Sequence, residues 1–191
     1  MHSTSVSLLD RVRENDDAAW ERFVDIYGPL VFSWCRRSGN LSQEDSADVM
    51  QEVFQSVAGA VQRFQRSHAG ELRAWLRTIT TNKIRDFYRK QRSQAQSIGG
   101  STIQHRLSQV PEISISENED EEKAILTRRA LEVMKTDFDQ SSWQAFWKSA
   151  IDGLTAAEIA EELNITRQAV WQACYRIRKR LREELTGMLE N

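Results

Sequence analysis

The chain holds only two proline, eight glycine and two cysteine residues among its 191. It has no apolar run approaching the roughly 20 residues that a membrane-spanning helix requires. So few turn formers, and no stretch of alternating strand pattern, exclude a β architecture and predict a chain that is almost wholly helical. Cys35 and Cys174 stand far apart without the paired-cysteine or histidine spacing of a metal site, and read as buried thiols. His2, His68 and His105 fall in expected tails and loops with no nucleophile beside them. There is no phosphate-binding glycine loop, and no carboxylate pair sits in an evident cleft. The chain therefore reads as a protein without enzymatic activity, cofactor or metal. Residues 1–9 lack the charged and apolar regions of a signal peptide, which predicts a cytoplasmic protein with no membrane partner.

What the chain does have is helical periodicity and unevenly placed charge. With 40% hydrophobic residues and six tryptophans it can bury small cores, and its length suits two modules of roughly 80 residues each. The formal net charge is −2, yet residues 63–92 carry +7 and residues 166–191 carry +3, while residues 93–122 carry −5. Attraction to phosphate acts over roughly 8 to 10 Å, so these local surpluses matter more than the total.

The first module, residues 1–92, reads as four helices. One lies near residues 4–14. A second spans residues 17–37, with Trp20, Phe23, Val24, Tyr27, Leu30, Val31 and Trp34 on its apolar side and an expected bend at Gly28-Pro29. A third opens at Ser42, a capping residue with Asp45 three positions on, and continues to Phe64. After a loop over residues 65–70 the fourth covers residues 71–92. Residues 93–122 contain Gly99-Gly100, Pro111 and the acidic run 117–122, a composition that predicts a flexible acidic linker. From Lys123 helices resume, and Ile125, Leu131, Val133, Met134, Phe138, Trp143, Phe146, Trp147 and Ile151 are expected to build a small core in the module of residues 123–191.

That core supports the pattern that says most about function. Ile159 and Leu163 stand one turn apart, and Ala160 beside them leaves room for a crossing helix. Asn164 falls where the chain must turn sharply, in a conformation that Asn tolerates. Ile165 plugs the corner and Thr166 caps a second helix. Val170, Ala173, Cys174, Ile177 and Leu181 form that helix's apolar stripe. Such a helix-turn-helix leaves Gln168, Gln172, Tyr175, Arg176 and Lys179 outward, with Arg167 and Trp171 at the edges. In a major groove Gln pairs with adenine, and Arg or Lys reads guanine or holds phosphate. An ordinary helical hairpin would leave the same face merely solvated.

The fourth helix is the second informative element. Leu72, Trp75, Leu76, Ile79 and Phe87 cluster on one side, whereas Arg77, Thr78, Thr81, Asn82, Arg85, Arg89 and Arg92 spread over the other. Lys83 falls nearer the apolar side, as a snorkelling side chain or a sign that the face is rotated. The third helix carries Asp48, Gln51 and Glu52 at offsets of three and four beside an apolar face that includes Phe54. Physics alone makes these no more than a solvated acidic face.

The order of parts adds what single segments lack. Asp-x-x-Gln-Glu-Val-Phe at residues 48–54, a basic helix beginning Arg73-Ala74-Trp75-Leu76-Arg77, an acidic linker and a C-terminal helix-turn-helix together resemble the extracytoplasmic-function group of the sigma-70 family. The resemblance covers nearly the whole chain and implies an all-α fold of two small helical domains. It implies an alternative sigma factor that binds core RNA polymerase, recognises promoter DNA and directs transcription initiation. Asp48, Gln51, Glu52 and Phe54 match the segment that docks on the polymerase largest subunit. Arg77, Thr78, Asn82, Arg85 and Arg89 match the minus-ten reader. Arg167, Gln168, Trp171, Gln172, Tyr175, Arg176 and Lys179 match the minus-thirty-five reader. The resemblance further implies a linker that enters the polymerase cleft, where acidic residues 117–122 imitate RNA charge, and an anti-sigma factor as a partner. The turn departs from the commoner pattern in having Asn164 where Gly is frequent, and the recognition helix in having Trp171 and Gln172. A stand-alone helix-turn-helix regulator is the competing reading.

Overall fold

The computed structural model describes residues 7–38, 41–64, 71–97, 115 and 118–185, and all regular structure among them is helical. The first module has four helices: α1 (Leu8–Arg13), α2 (Asp17–Ser38), α3 (Gln43–Ala60) and α4 (Glu71–Ser97). The second has α5 (Glu119–Met134), α6 (Gln140–Ala150), α7 (Ala156–Glu162) and α8 (Arg167–Glu184). No helix among the described residues is long and apolar enough to cross a membrane. The expected loop at 65–70 and most of the expected linker lie outside the described residues.

Helix starts follow the capping residues that the sequence supplies. Ser7 and Asp10 form a capping box on α1, Ser42 accepts from the Asp45 amide at the start of α3, and Asp139 accepts from the Ser142 amide at α6. Each such cap satisfies an amide that the helix itself cannot. The third helix does not run regularly to Phe64: it gives way at Ala60 to a 3-10 turn, Val61–Arg63, after which Phe64 is extended.

Helix α2 is continuous through Pro29. Proline has no amide hydrogen, so the carbonyl of Asp25 four residues earlier loses its helical donor. Arg129 of α5 fills that gap, its Nε donating to the Asp25 carbonyl at 2.8 Å. A local defect in one module thereby becomes a hydrogen bond to the other.

Two boundaries differ from the sequence reading. Helix α4 runs on to Ser97, and α5 begins at Glu119, inside the stretch assigned to a linker. Asn118 caps α5 by accepting from the Glu121 amide, and four acidic residues fill its first turn, where the positive end of the helix dipole favours them. Low hydrophobicity over 117–122 signalled a linker, but a helix start wants the same residues.

Helix α5 also serves two cores rather than one. Leu126 and Ala130 are buried with Phe23, Tyr27, Leu30, Val31 and Trp34 of α2, and Ile125 and Val133 pack against the same cluster. Met134 joins Phe146, Ile159, Val170, Ala173, Cys174 and Ile177 in the second core, with Leu131, Phe138 and Trp143 against it. Helix α2 makes its most extensive contact with α5. Trp147 and Ile151, expected in the core, are instead 41% and 58% exposed. With Leu131, Trp143 and Leu163 they line an apolar groove.

Both cysteines are buried and free. Desolvation pushes the Cys35 thiol up to about 12, so almost no thiolate forms at neutral pH. Alkylation of Cys35 in native protein at pH 7.5, followed by mass spectrometry across a urea titration, is therefore expected to track unfolding. Rapid labelling without urea would mean that the α2 packing opens locally.

Candidate nucleic-acid interface

In the helix-turn-helix, Thr155 and Glu158 form a capping box on α7. Asn164 takes a left-handed φ of 51°, as its place in the turn requires. The Ile165 amide then donates to the Ala160 carbonyl at 3.0 Å, which closes the corner. Thr166 caps α8 by accepting from the Ala169 amide. Ile159 and Ile177 are fully buried and Val170 and Ala173 nearly so, which fixes the rotation of α8 about its axis.

That rotation leaves Arg167, Gln168, Trp171, Gln172, Tyr175 and Lys179 exposed together on one side. Arg176 is exposed but turned toward α6, where its Nη2 donates to Ser142 Oγ at 3.1 Å. Arg178, which the sequence reading passed over, lies on the exposed side as well. Its spacing of seven residues from Trp171 places it within about 20° of that residue on the helix wheel, a signal that was available.

On α4, Leu72, Leu76 and Ile84 are buried, with Trp75, Ile79 and Phe87 packed against the core. Thr80 and Arg73 are buried too; the sequence reading passed over Thr80 and took Arg73 only as the start of the basic helix. Thr78, Asn82, Arg85 and Arg89 are exposed on the opposite side. Arg89 donates to Asp86 at 2.9 Å, and the Thr78 hydroxyl donates to the Ala74 carbonyl. Lys83, nearer the apolar side, lies 3.9 Å from Glu52 of α3.

Arg77 stands apart from that face. It lies about 100° around the helix from Thr78, and its side chain is 14% exposed, against a Glu122 side chain that is 1% exposed. Arg77 Nη2 donates to both Glu122 oxygens at 2.9 and 2.7 Å, Trp34 Nε1 donates to Oε1 at 2.8 Å, and Arg73 Nε lies 3.4 Å from Oε2. The guanidinium also sits over the Trp34 ring at 5.5 Å. Arg73 and Arg37 take Glu119 and Glu121 at 2.7 Å each. Three members of the acidic run are thus engaged by arginines of the first module. In this arrangement they are not an open anionic strand.

A second ionic cluster joins the modules at the other end of α2. Arg22 lies 2.6 Å from Asp137 and 2.7 Å from Glu184, and Arg180 lies 2.9 Å from Glu184. Burial holds the Glu184 carboxyl above its ordinary value, against the opposing pull of Arg180 and Arg22. Tyr27, buried in α2, donates to the Glu184 carbonyl at 3.2 Å.

On α3, Asp48 and Gln51 are exposed. Glu52 is half-buried and bonded to Lys90 of α4 at 2.8 Å. Phe54 is a core residue, edge-on to Phe23 and Trp20 at 6.2 and 6.3 Å. It packs behind the segment, whereas Asp48 and Gln51 reach solvent.

The Sigma-70 region 2 family model matches residues 23–94, and the Sigma-70 region 4 model matches residues 144–181. A solved structure described as CnrH in complex with the cytosolic domain of CnrY is similar over 91% of this chain and 92% of its own, at 23% identity and a TM-score of 0.37. No curated protein matches the chain. The first match spans α2 to α4 and the second spans the helix-turn-helix, in the order that the sequence motifs indicated. The two sigma-70 region models together match more than half of the chain, and this chain belongs to the sigma-70 family.

Proposed function

We propose that the protein is an alternative sigma factor that binds core RNA polymerase and directs it to promoters with two unlike boxes. The observation that carries this reading is the pair of sigma-70 regions, each with a separate exposed polar face built on a packed helical support. Asp48, Gln51 and Glu52 form the polymerase-docking edge, held in place by Phe54. Thr78, Asn82, Arg85 and Arg89 receive the minus-ten strand. Extruding a base costs a few kcal/mol of stacking, which the arginine contacts to backbone phosphate offset. Arg77 joins that set once Glu122 no longer holds it. The exposed face of α8 reads the minus-thirty-five element in the major groove, with Arg176 placed to steady α8 against α6 as well as to reach phosphate. An anti-sigma factor is the expected regulatory partner. The domain division is proposed as residues 1–92 and 123–191, with α5 in contact with both cores.

The reading is tested by transcription in vitro with purified core polymerase, this protein and fragmented genomic DNA, with start sites mapped. The expected result is a set of start sites preceded by two dissimilar boxes at fixed spacing, and weak duplex binding by the protein alone. Tight binding to a two-fold symmetric site without polymerase would instead establish a self-sufficient regulator.

A further inference from the structure

Trp171 and Tyr175 are 64% and 63% exposed, the most exposed large hydrophobic side chains among the described residues. They stand four residues apart on α8, so one helical turn separates them on the same face. Gln168, Gln172 and Lys179 surround them there, and Arg178 flanks them. Between Arg167 and Arg182 the helix carries six cations and no acidic residue. Two bare aromatic rings in a cationic field form a convex ridge, shaped to enter a polyanion's groove rather than to receive a partner helix. The major groove, about 12 Å wide, admits such a helix.

Only one base offers a ring an apolar target there. Thymine places its C5-methyl group in the major groove, whereas the other three present hydrogen-bonding edges. Arg176 is held toward Ser142, which leaves the rings and the two glutamines at the centre of the face. We propose that Trp171 and Tyr175 read thymine through its methyl group in the upstream promoter element, with the indole making the principal contact. The proposal rests on the reading of α8 as the minus-thirty-five helix. Gln168 and Gln172 beside the rings suit adenine, so the chemistry selects an A·T-rich box read from both strands.

The experiment uses holoenzyme assembled from the full chain and core polymerase, on the strongest promoter fragment recovered by start-site mapping. Each thymine of the upstream box is replaced singly by deoxyuridine, which removes the methyl group and leaves the hydrogen-bonding edge unchanged. Wild-type holoenzyme is expected to lose about fourfold in affinity at one or two positions, the ratio that corresponds to ~0.8 kcal/mol for one buried methyl group. Trp171→Ala holoenzyme is expected to be indifferent to deoxyuridine at one of them, and Trp171→Phe to retain part of the discrimination. The proposal is overturned if no position separates thymine from deoxyuridine, or if Trp171→Ala keeps the wild-type pattern. Uniform weakening across all sequences, or loss of polymerase binding by Trp171→Ala, overturns it equally, since the ring would then serve the sugar-phosphate backbone or a protein contact. A holoenzyme footprint without any upstream protection would instead sink the underlying promoter reading, and it is scored separately.

Discussion

Glu122→Gln is expected to destabilise the folded protein by about 3 to 5 kcal/mol, the range for removing one partner from a buried ion pair. The carboxylate is 1% exposed and faces two guanidinium groups, of Arg77 at 14% and Arg73 at 8%. It also accepts from the Trp34 indole. An amide in its place offers one acceptor instead of two and turns donor hydrogens toward donors, so the buried guanidinium charge loses the compensation that the carboxylate gives it. Arg73 keeps Glu119, whereas the Arg77 guanidinium stands directly against the Glu122 carboxylate. The effect is read from the urea midpoint at unchanged slope. A loss below about 1 kcal/mol, the level of an exposed pair, would mean that the cluster opens to water in solution.

Glu184→Gln is the informative control. Here burial already raises the carboxyl, so the folded state disfavours its charge, and Arg22 retains Asp137 at 2.6 Å. Its substitution is expected to cost markedly less than that of Glu122. A carboxyl whose folded-state value is raised contributes stability below its unfolded value and loses that contribution as pH rises through the raised one. Relative to Glu184→Gln, the wild-type protein is therefore expected to lose stability as pH rises from the ordinary carboxylate range. Urea midpoints for the two proteins between pH 4 and 8 measure this directly.

Asp48→Arg is expected to abolish measurable binding to core polymerase while leaving the fold intact. The side chain is exposed near the start of α3, beyond the reach of the core that Val49, Val53 and Val57 build behind it. Reversing its charge places repulsion where the proposed docking edge supplies attraction, and like-charge juxtaposition at an interface costs several kcal/mol. Helix content and urea midpoint should match the wild type. A pull-down of unchanged yield would remove the basis for assigning docking to this edge and would move attention to other exposed faces of α2 and α3.

Much of the local structure was legible along the chain. Ser42, Asn164 and Thr166 mark turns and caps because each is defined by the backbone within a few residues of itself. The apolar stripes of α2 and α8 are defined by period alone, and Phe23, Trp34, Val170 and Ile177 fall where that period puts them. Other residues were misplaced for a reason of the same kind. Trp147 and Ile151 look like core by type, but whether an apolar residue is covered depends on where a neighbouring helix stops. Residues 119–122 look like linker by composition, yet an acidic first turn becomes ordered once arginines on α2 and α4 stand opposite it.

The candidate sites divide in the same way. Gln168, Trp171, Gln172 and Tyr175 share a face because one helix carries them all, and no distant contact is needed to bring them together. Arg77 is different. Sequence gives it the same standing as Arg85 and Arg89, since all three are cations on one amphipathic helix, but Glu122 stands 45 residues away and only the packing of α5 against α2 brings the two together. Phe54 likewise belongs by motif to a docking segment and by packing to the core.

The amino-acid order by itself determined an all-helical chain, the caps that begin its helices, the left-handed turn at Asn164 and the faces that α4 and α8 turn outward. Each follows from interactions within one or two turns of backbone. Only the tertiary structure decided which cations on those faces reach solvent and which are consumed in holding the modules together. A charge's availability depends on partners that arrive from elsewhere in the chain, and a buried guanidinium must have one.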